Sequence, residues 1–260
     1  MTSIEEFKKQ RKEEIANQAR DSELRHLSSE WIAKAFKHNY SYHFDWLGLP
    51  IIQHPQDIIA MQQLIWKVQP DLIIETGVAR GGSAIFYASL LELIAQCGGN
   101  TAAAVLSIDI DIRSHNKKAI FDHPLSKRIR LIEGSSVDTG LFDHVSDIAN
   151  RAEKVMVCLD SNHTHDHVLK ELKLYSKLVS VGSYCVVFDT IIEDFPVELS
   201  QNRAWGKGNN PKTAVWKFLD WIKSENLRNK TEAGLNFVID QELEASLLVT
   251  VAPDGYLKRI

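Results

Sequence analysis

The sequence predicts an α/β fold in which a mostly parallel sheet with an antiparallel edge follows an N-terminal helical extension. Before residue 40, apolar side chains recur at helical spacing. Beyond residue 70, short apolar runs alternate with longer helical stretches, which is the pattern of repeated βα units. The 260 residues, 44% hydrophobic and 25% charged, can bury a core without disulfide bonds or structural metals. We expect one main domain over residues 49–260, preceded by the extension over residues 1–48.

Composition and charge exclude several classes of partner. Lys and Arg number 30 and Asp and Glu 34, so the net charge of −4 leaves no basic surplus for binding a nucleic acid backbone. Apolar runs are shorter than the roughly eighteen residues of a membrane span, and residues 1–20 are rich in Lys and Glu where a signal peptide needs an apolar segment. The 3 cysteines are widely spaced, which suits a reducing compartment. We therefore expect a cytoplasmic protein that binds neither nucleic acid nor membranes.

The helices before the sheet are predicted from apolar spacing and capping residues. Between Ser3 and His38, apolar residues recur at steps of three and four, which predicts two or three amphipathic helices. Pro55 and Asp57 suit the start of a helix that continues from Ile58 to Val68. Apolar side chains on the N-terminal helices are of the kind that a second subunit covers, so we expect a homo-oligomer.

Apolar runs and helical stretches alternate from residue 72 onwards. The predicted strands are Leu72–Ile74, Ala104–Ile108, Ile129–Ile132, Val155–Leu159, Ser183–Phe188, Leu235–Ile239 and Leu247–Thr250. The predicted connecting helices are Ser83–Cys97, Ile112–Asp122, Leu141–Arg151, His167–Val179 and Pro211–Asn226. The last two strands, which a charged turn separates, are expected to form the antiparallel edge.

A glycine-rich turn between the first strand of this series and its helix is the strongest functional signal. Gly77 allows a sharp reversal, Gly81 lets backbone N–H groups approach a ligand, and Ser83 is expected to cap the helix. A dinucleotide site prefers a glycine where this chain has Ala79. Glu75 suits a cationic amino group better than a diphosphate, so we expect an amino-acid-like ligand. A purely structural turn is the alternative.

Polar residues follow the next two strands as well. Asp109 stands at the tip of its strand, where a carboxylate can accept two hydrogen bonds from the hydroxyls of a ribose. The alternative is that Asp109 or Asp111 only caps the following helix. Ser135 lies in a Gly-Ser turn after the third strand and is expected to border an adenine ring.

The glycine turn, the acidic strand tip and the Gly-Ser turn, in this order, resemble the class I S-adenosylmethionine methyltransferases. The segments 159–168, 187–190 and 205–211 are similar to those of the cephalosporin-hydroxylase-like proteins, which include rhamnosyl O-methyltransferases. The glycine turn also resembles that of catechol O-methyltransferase. The resemblance covers about two thirds of the chain, from Trp46 to Trp216. It implies a Rossmann-like fold with S-adenosylmethionine as cofactor, so that residues 49–260 would be the methyltransferase domain.

The same resemblance implies a Mg²⁺ site and a general base. Asp160 and Asp189 match the two acidic positions that hold the metal in these families, and Asp160 is also expected to contact the cofactor. Many of the cephalosporin-hydroxylase-like proteins have Glu where this chain has Phe188, so Thr190 or water is expected to complete the metal shell. His163 matches the lysine base of the catechol enzyme, and an imidazole acts as a base near neutral pH with little perturbation.

The sequence thus predicts a Mg²⁺-dependent O-methyltransferase of natural product biosynthesis that acts on a hydroxyl of a small polar acceptor, either a sugar or another secondary metabolite. Three alternatives stay open. His163, His165 and His167, alternating beside Asp160, would suit a non-haem iron hydroxylase. An NAD-dependent oxidoreductase would use Asp109 for its own ribose. A non-enzymatic chain would act through residues 1–38 as an interaction module.

Two of the functional interpretations have an ordinary structural alternative. The three histidines would then belong to a solvated loop or a helix cap. The Gly-rich segment 205–211, which contains Trp205, Lys207, Asn209 and Asn210, is expected either to close over the substrate or to be a mobile loop.

Overall fold

The computed structural model describes residues 3–228 and 234–260. In these residues the strands are β1 (Phe44–Trp46), β2 (Leu49–Ile51), β3 (Leu72–Thr76), β4 (Ala104–Asp109), β5 (Ile129–Glu133), β6 (Val155–Leu159), β7 (Tyr184–Val187), β8 (Phe237–Ile239) and β9 (Tyr256–Arg259). The α-helices are α1 (Ile4–Arg20), α2 (Ser22–Phe36), α3 (Pro55–Val68), α4 (Gly82–Gln96), α5 (Ser114–Asp122), α6 (Thr139–Ala149), α7 (His165–Tyr175), α8 (Pro211–Arg228) and α9 (Gln241–Leu247).

Seven strands form one sheet in the order β5-β4-β3-β6-β7-β9-β8. The first five are parallel, whereas β9 runs antiparallel to both β7 and β8. The mostly parallel sheet with an antiparallel edge is therefore confirmed. The chain moves outward from β3 through β4 to β5 and then returns to the other side of β3 with β6. In such sheets, ligands bind above the carboxyl ends of the two strands where the order reverses.

The carboxyl ends of the central strands are aligned by their register. Thr76 at the end of β3 lies opposite Ile108 of β4 and Leu159 of β6. The backbone N–H of Gly77 donates to Ile108 over 2.8 Å, and that of Asp160 donates to Thr76 over 2.9 Å. The turns that follow β3 and β6 therefore begin side by side.

Helices cover the sheet on both faces. Buried side chains of α3, α4 and α5 pack with Ile73 on one face, while those of α6, α7 and α8 pack with Leu72 and Ile74 on the other. All five residues of β3 are buried. Burial on both faces explains why the central strands appear in the sequence as continuous apolar runs rather than as alternating patterns.

The N-terminal extension consists of two helices followed by the hairpin of β1 and β2. None of the residues of α1 is buried, but Gln18 donates to the carbonyl of Ala245 in α9 over 2.9 Å. The predicted boundary between residues 48 and 49 falls in the turn of the hairpin and stays a prediction. Within the two described ranges, the structure contains no helix with the length and apolar character needed to cross a membrane.

One predicted strand is wrong, while the other predicted elements lie within a few residues of their bounds. The stretch Leu247–Thr250 belongs to the end of α9 and the loop after it, and the antiparallel partner of the edge strand β8 is β9 instead. The charged turn begins α9, since the Asp240 side chain accepts from the backbone N–H of Leu243. The buried Asp57 carboxylate accepts from the Thr250 hydroxyl and, over 3.0 Å, from the backbone N–H of Val251, and these contacts hold the end of the predicted strand against α3.

Candidate active site

The glycine turn lies at the aligned strand ends and passes close over the segment that follows β6. Gly77 has φ +92°, and a Cβ there would lie 2.1 Å from the backbone carbonyl oxygen of Asp160. Only glycine fits this position. Ala79 also has a positive φ, +45°, and is exposed at the crest of the turn. Gly81, with φ +88°, is the residue before α4, and a Cβ there would overlap the Ile120 side chain.

Asp109 holds this turn in place. Its Oδ2 accepts from the backbone N–H groups of Val78 over 2.8 Å and of Ala79 over 3.3 Å, and its Oδ1 accepts from Asp111 over 3.1 Å. The alternative of a helix cap is wrong, because Arg113 is the residue before α5. A carboxylate has about four acceptor positions, so one on Oδ1 is left for a ligand.

Glu75 lies beneath the turn rather than at the cavity surface. The residue is 2% exposed, and its carboxylate accepts from the hydroxyls of Ser83 over 2.8 Å and Ser107 over 2.5 Å. Burial raises the pKa of Glu75 to about 7. The prediction that Ser83 caps α4 is wrong, because its hydroxyl donates to Glu75 and the residue before the helix is Gly81.

A cluster of two carboxylates and one imidazole lies beside the turn. Asp160 follows β6, Asp189 follows β7, and His163 Nε2 lies 3.3 Å from Asp189 Oδ2. One potential ligand atom from each of the three residues lies within 4.8 Å of the other two. Burial, together with the neighbouring Asp189 charge, raises the pKa of Asp160 well above its usual range. A divalent cation would relieve this repulsion, and carboxylate oxygens are the ligands that Mg²⁺ prefers, so the donor set fits the predicted metal.

Two of the predicted residues are not part of this cluster. Thr190 is fully buried and its hydroxyl donates to the Pro253 carbonyl over 2.6 Å, so the structure does not bring it to the cavity as a metal ligand. Ser135 is half-buried in the turn after β5, where its carbonyl accepts from Asp138, and it does not line the cavity described below. Phe188 is 2% exposed and packs in the apolar core.

The other two histidines have structural partners. His165 begins α7, with its backbone N–H donating to Asn209 over 2.9 Å and its ring Nδ1 2.8 Å from the Thr213 hydroxyl. His167 Nε2 lies 3.1 Å from the hydroxyl of Ser136. Only His163 of the three joins the carboxylates, so the alternating histidines do not form the two-histidine iron site.

A cavity of about 320 Å³ opens above the glycine turn and the cluster. Six of the predicted site residues line it: Gly77, Ala79, Asp109, Asp160, His163 and Asp189. Its volume lies in the usual range for small-molecule sites. The remaining walls come from the N-terminal extension, through Phe36 and Tyr42, and from the segment after β7, through Phe195, Arg203 and Trp205.

Sequence reasoning missed His54, which lines the same cavity. It is 3% exposed, its Nδ1 has no hydrogen-bond partner among the described residues, and burial lowers its pKa despite the opposing charge of Asp189. The β1–β2 hairpin and α3 bring His54 to the sheet edge. The sequence around His54 contains no motif that predicts this position. Pro55, the first residue of α3, predicts only a helix start.

The segment 205–211 lies against the cavity, and polar contacts hold it there. The Trp205 ring meets the His163 ring edge to face, with centroids 5.6 Å apart. The Asn210 side chain is fully buried and donates to Glu193, whose carboxylate also accepts from the Gly208 N–H over 2.7 Å. Trp205 therefore forms a wall directly over the predicted base.

Comparison with known proteins identifies a family and several relatives of this chain. The rhamnosyl O-methyltransferase/CmcI family model matches residues 38–260. A rhamnosyl O-methyltransferase of Mycobacterium bovis (strain BCG / Pasteur 1173P2) is 28% identical over 247 residues, covering 92% of this chain and 89% of that protein. A rhamnosyl O-methyltransferase of Mycobacterium leprae (strain TN) is 30% identical over 153 residues, covering 58% of this chain and 62% of that protein.

Solved structures share the fold. A structure of CmcI with Mg and SAM has a TM-score of 0.51 at 19% identity, and it covers 84% of this chain and 77% of that chain. Apo CmcI has a TM-score of 0.52 with the same identity and coverage. The predicted fold and the predicted class of enzyme, a methyltransferase that uses S-adenosylmethionine, are confirmed, and the iron hydroxylase and NAD alternatives are not favoured. The chain belongs to the rhamnosyl O-methyltransferase/CmcI family.

Proposed function

We propose that this chain transfers the methyl group of S-adenosylmethionine to a hydroxyl of a sugar-containing small molecule and that Mg²⁺ assists the transfer. The observation that carries the proposal is that the glycine turn and the cluster of Asp160, His163 and Asp189 face one cavity. The rhamnosyl O-methyltransferases named above support a sugar acceptor, and the CmcI structure with Mg and SAM supports the cofactor pair.

The cofactor would lie along the glycine turn. The backbone of Gly77 and Ala79 offers close approach, Asp109 would accept from a ribose hydroxyl, and Asp160 borders the same space. Ser135 follows β5 at the same edge of the sheet, and we assign it to the adenine neighbourhood. Three further residues would support the turn without touching the cofactor, because their contacts fix its shape: Glu75, Gly81 and Ser83. A cationic ligand above the turn would favour the ionised form of the Glu75 carboxyl.

Asp160 and Asp189 would hold the Mg²⁺ ion. A bound divalent cation lowers the pKa of a hydroxyl that it contacts and so favours an alkoxide nucleophile. His163 is the residue that we assign as general base. Its Nε2 would take the proton of the acceptor hydroxyl, while the oxygen attacks the sulfonium methyl carbon and the sulfur keeps the electrons of the broken bond. Asp189, 3.3 Å from Nε2, would stabilise the imidazolium that results.

Aromatic side chains make the acceptor side of the cavity suitable for a sugar ring. Phe36 packs on Phe195 with ring centroids 4.8 Å apart, and Tyr42 and Trp205 line the same space. Large rings of this kind offer apolar area to the faces of a sugar, while its hydroxyl points to the cluster. Arg203 covers the Trp205 ring at 5.4 Å and closes this side of the cavity.

Two measurements on the wild-type chain test the proposal. Calorimetric titration with S-adenosylhomocysteine is expected to give saturable binding, and a labelled methyl group is expected to pass from S-adenosylmethionine to a rhamnoside in the presence of Mg²⁺. Binding of NAD in place of S-adenosylhomocysteine would contradict the cofactor assignment. Product formation with ferrous iron and 2-oxoglutarate, without a sulfonium donor, would replace the methyl transfer by hydroxylation.

A further inference from the structure

Gln53 is a buried amide that contacts the proposed metal site from outside the sheet. It lies between β2 and α3, is 8% exposed, and donates from Nε2 to Asp160 Oδ2 over 3.1 Å. Its other amide atom, Oε1, is buried and has no hydrogen-bond partner among the described residues. Because Oε1 makes no hydrogen bond among the described residues, the contact with Asp160 is what holds the amide in this orientation.

Two carboxylates are the acidic oxygen ligands that the described residues bring to the proposed site. Asp160 and Asp189 each offer a carboxylate, but Phe188 is packed in the apolar core and the Thr190 hydroxyl is committed to Pro253. Mg²⁺ prefers six oxygen ligands in octahedral geometry and usually keeps several waters. His163, the third member of the cluster, is assigned to proton transfer and offers nitrogen, which suits Mg²⁺ less well than oxygen.

We propose that Gln53 supplies its amide oxygen as a third protein ligand of the divalent cation held by Asp160 and Asp189. A half-turn of the amide exchanges its nitrogen and oxygen, so that Oε1 faces Asp160 and Nε2 takes the place that Oε1 holds now. The oxygen would then lie about 3.1 Å from Asp160 Oδ2. Adjacent octahedral ligands of Mg²⁺ are about 3 Å apart, because two bonds of about 2.1 Å meet at a right angle.

Charge balance also favours an amide at this place. Two carboxylates neutralise a divalent cation, and a neutral amide adds an oxygen ligand without adding charge to a half-buried cluster. The inference rests on the proposed metal site. It makes the segment between β2 and α3, which contains Gln53, a contributor to that site. Carbonyl ligands from glutamine are ordinary in sites for hard cations.

The test measures Mn²⁺ binding to the full chain by electron paramagnetic resonance, with Mn²⁺ in place of Mg²⁺ and no acceptor present. Gln53→Leu is expected to weaken Mn²⁺ binding by about tenfold or more, and Gln53→Glu to strengthen it by about tenfold, because a third carboxylate replaces the amide. Gln63→Glu adds the same charge on an exposed position of α3 and is the matched control, expected to change the Kd by less than about twofold. Thermal unfolding of each variant checks that the fold is intact.

The two variants separate a metal ligand from a residue that only orients Asp160. If Gln53 only donates to Asp160, Gln53→Glu places two carboxylates face to face and weakens Mn²⁺ binding, which would overturn the proposal. Unchanged Mn²⁺ affinity in Gln53→Leu would overturn it as well. Absence of Mn²⁺ binding in the wild-type chain would overturn both this inference and the proposed metal, whereas S-adenosylhomocysteine binding without metal reports on the proposed cofactor alone.

Discussion

Asp109 accepts a hydrogen bond from the backbone N–H of Val78 over 2.8 Å, so a single carboxylate at the tip of β4 fixes the turn that follows β3. Because Ala79 in the same turn has a positive φ, the conformation depends on this support. The role that we propose for Asp109 in cofactor binding therefore has two parts, the shape of the turn and the acceptor position left on Oδ1.

Asp109→Ala is expected to weaken S-adenosylhomocysteine binding by about 100-fold, since it removes a charged acceptor and releases the turn. Calorimetry measures this directly. Asp111→Ala is the matched control, because Asp111 is exposed on the same loop and its carboxylate contacts only Arg113 at 3.8 Å among the described residues. Equal affinities for the two variants would remove Asp109 from the cofactor site.

Gly77→Ala is expected to destabilise the chain by about 3 kcal/mol or more and to abolish cofactor binding. The new Cβ would lie 2.1 Å from the Asp160 carbonyl oxygen, in addition to the cost of a positive φ. Gly98→Ala separates these two causes: Gly98 has φ +93° but open space around its Cβ position, so only about 1 kcal/mol is expected. Urea unfolding compares the two variants. A similar loss of stability in both would show that the close approach to Asp160 carries no cost.

The sequence predicted the strand-end residues because parallel strands deliver their carboxyl ends to one edge. Gly77, Asp109, Asp160 and Asp189 each lie at such an end, and His163 is only three residues from one of them. The direction in which the Glu75 side chain points could not be predicted in the same way. Its position opposite Ser107 depends on the register of β3 with β4, and that pairing buries its carboxylate beneath the turn.

Residues that reach the site through packing left no local signal. Gln53 and His54 lie directly after the N-terminal hairpin, between β2 and α3. The hairpin packs so close to α4 that a Cβ on Gly82 would be 2.2 Å from the Pro50 carbonyl oxygen. The strand predicted over residues 247–250 failed for a similar reason. Asp57, almost two hundred residues earlier, binds the Thr250 hydroxyl and the Val251 N–H and holds this stretch against α3.

Glu75 is expected to make stability depend on pH. Burial raises its pKa in the folded chain to about 7 from an ordinary value of 4.5, so the folded state holds the proton more tightly than the unfolded state. The sign follows: the contribution is fully favourable below about pH 4.5, is lost as pH rises through 7, and amounts to about 3 kcal/mol.

Urea unfolding of the wild type and of Glu75→Gln at several pH values between 4.5 and 8 measures this contribution. The free energy of unfolding of the wild type is expected to fall relative to that of the variant across this window. Asp57 and Glu244, whose pKa values burial raises to about 6 and about 8, are present in both proteins and cancel in the difference. Glu133→Gln, at an exposed strand end, is the control. Parallel curves for the wild type and Glu75→Gln would contradict the assignment.

His163→Gln is expected to lower kcat for methyl transfer by about 100-fold to 10 000-fold while leaving S-adenosylhomocysteine affinity within about twofold. The physical reason is that Nε2 lies beside Asp189 under the Trp205 ring and would accept the hydroxyl proton, whereas a glutamine amide is not a base. His165→Gln is the matched control on the same loop, because His165 contacts Thr213 away from the carboxylates. Single-turnover rates with a saturating acceptor separate the chemical step from binding. A full rate in His163→Gln would leave proton transfer to another group in the cavity, of which the buried His54 is the first to test. An equal loss in His165→Gln would assign the effect to the segment that carries both histidines rather than to the His163 imidazole.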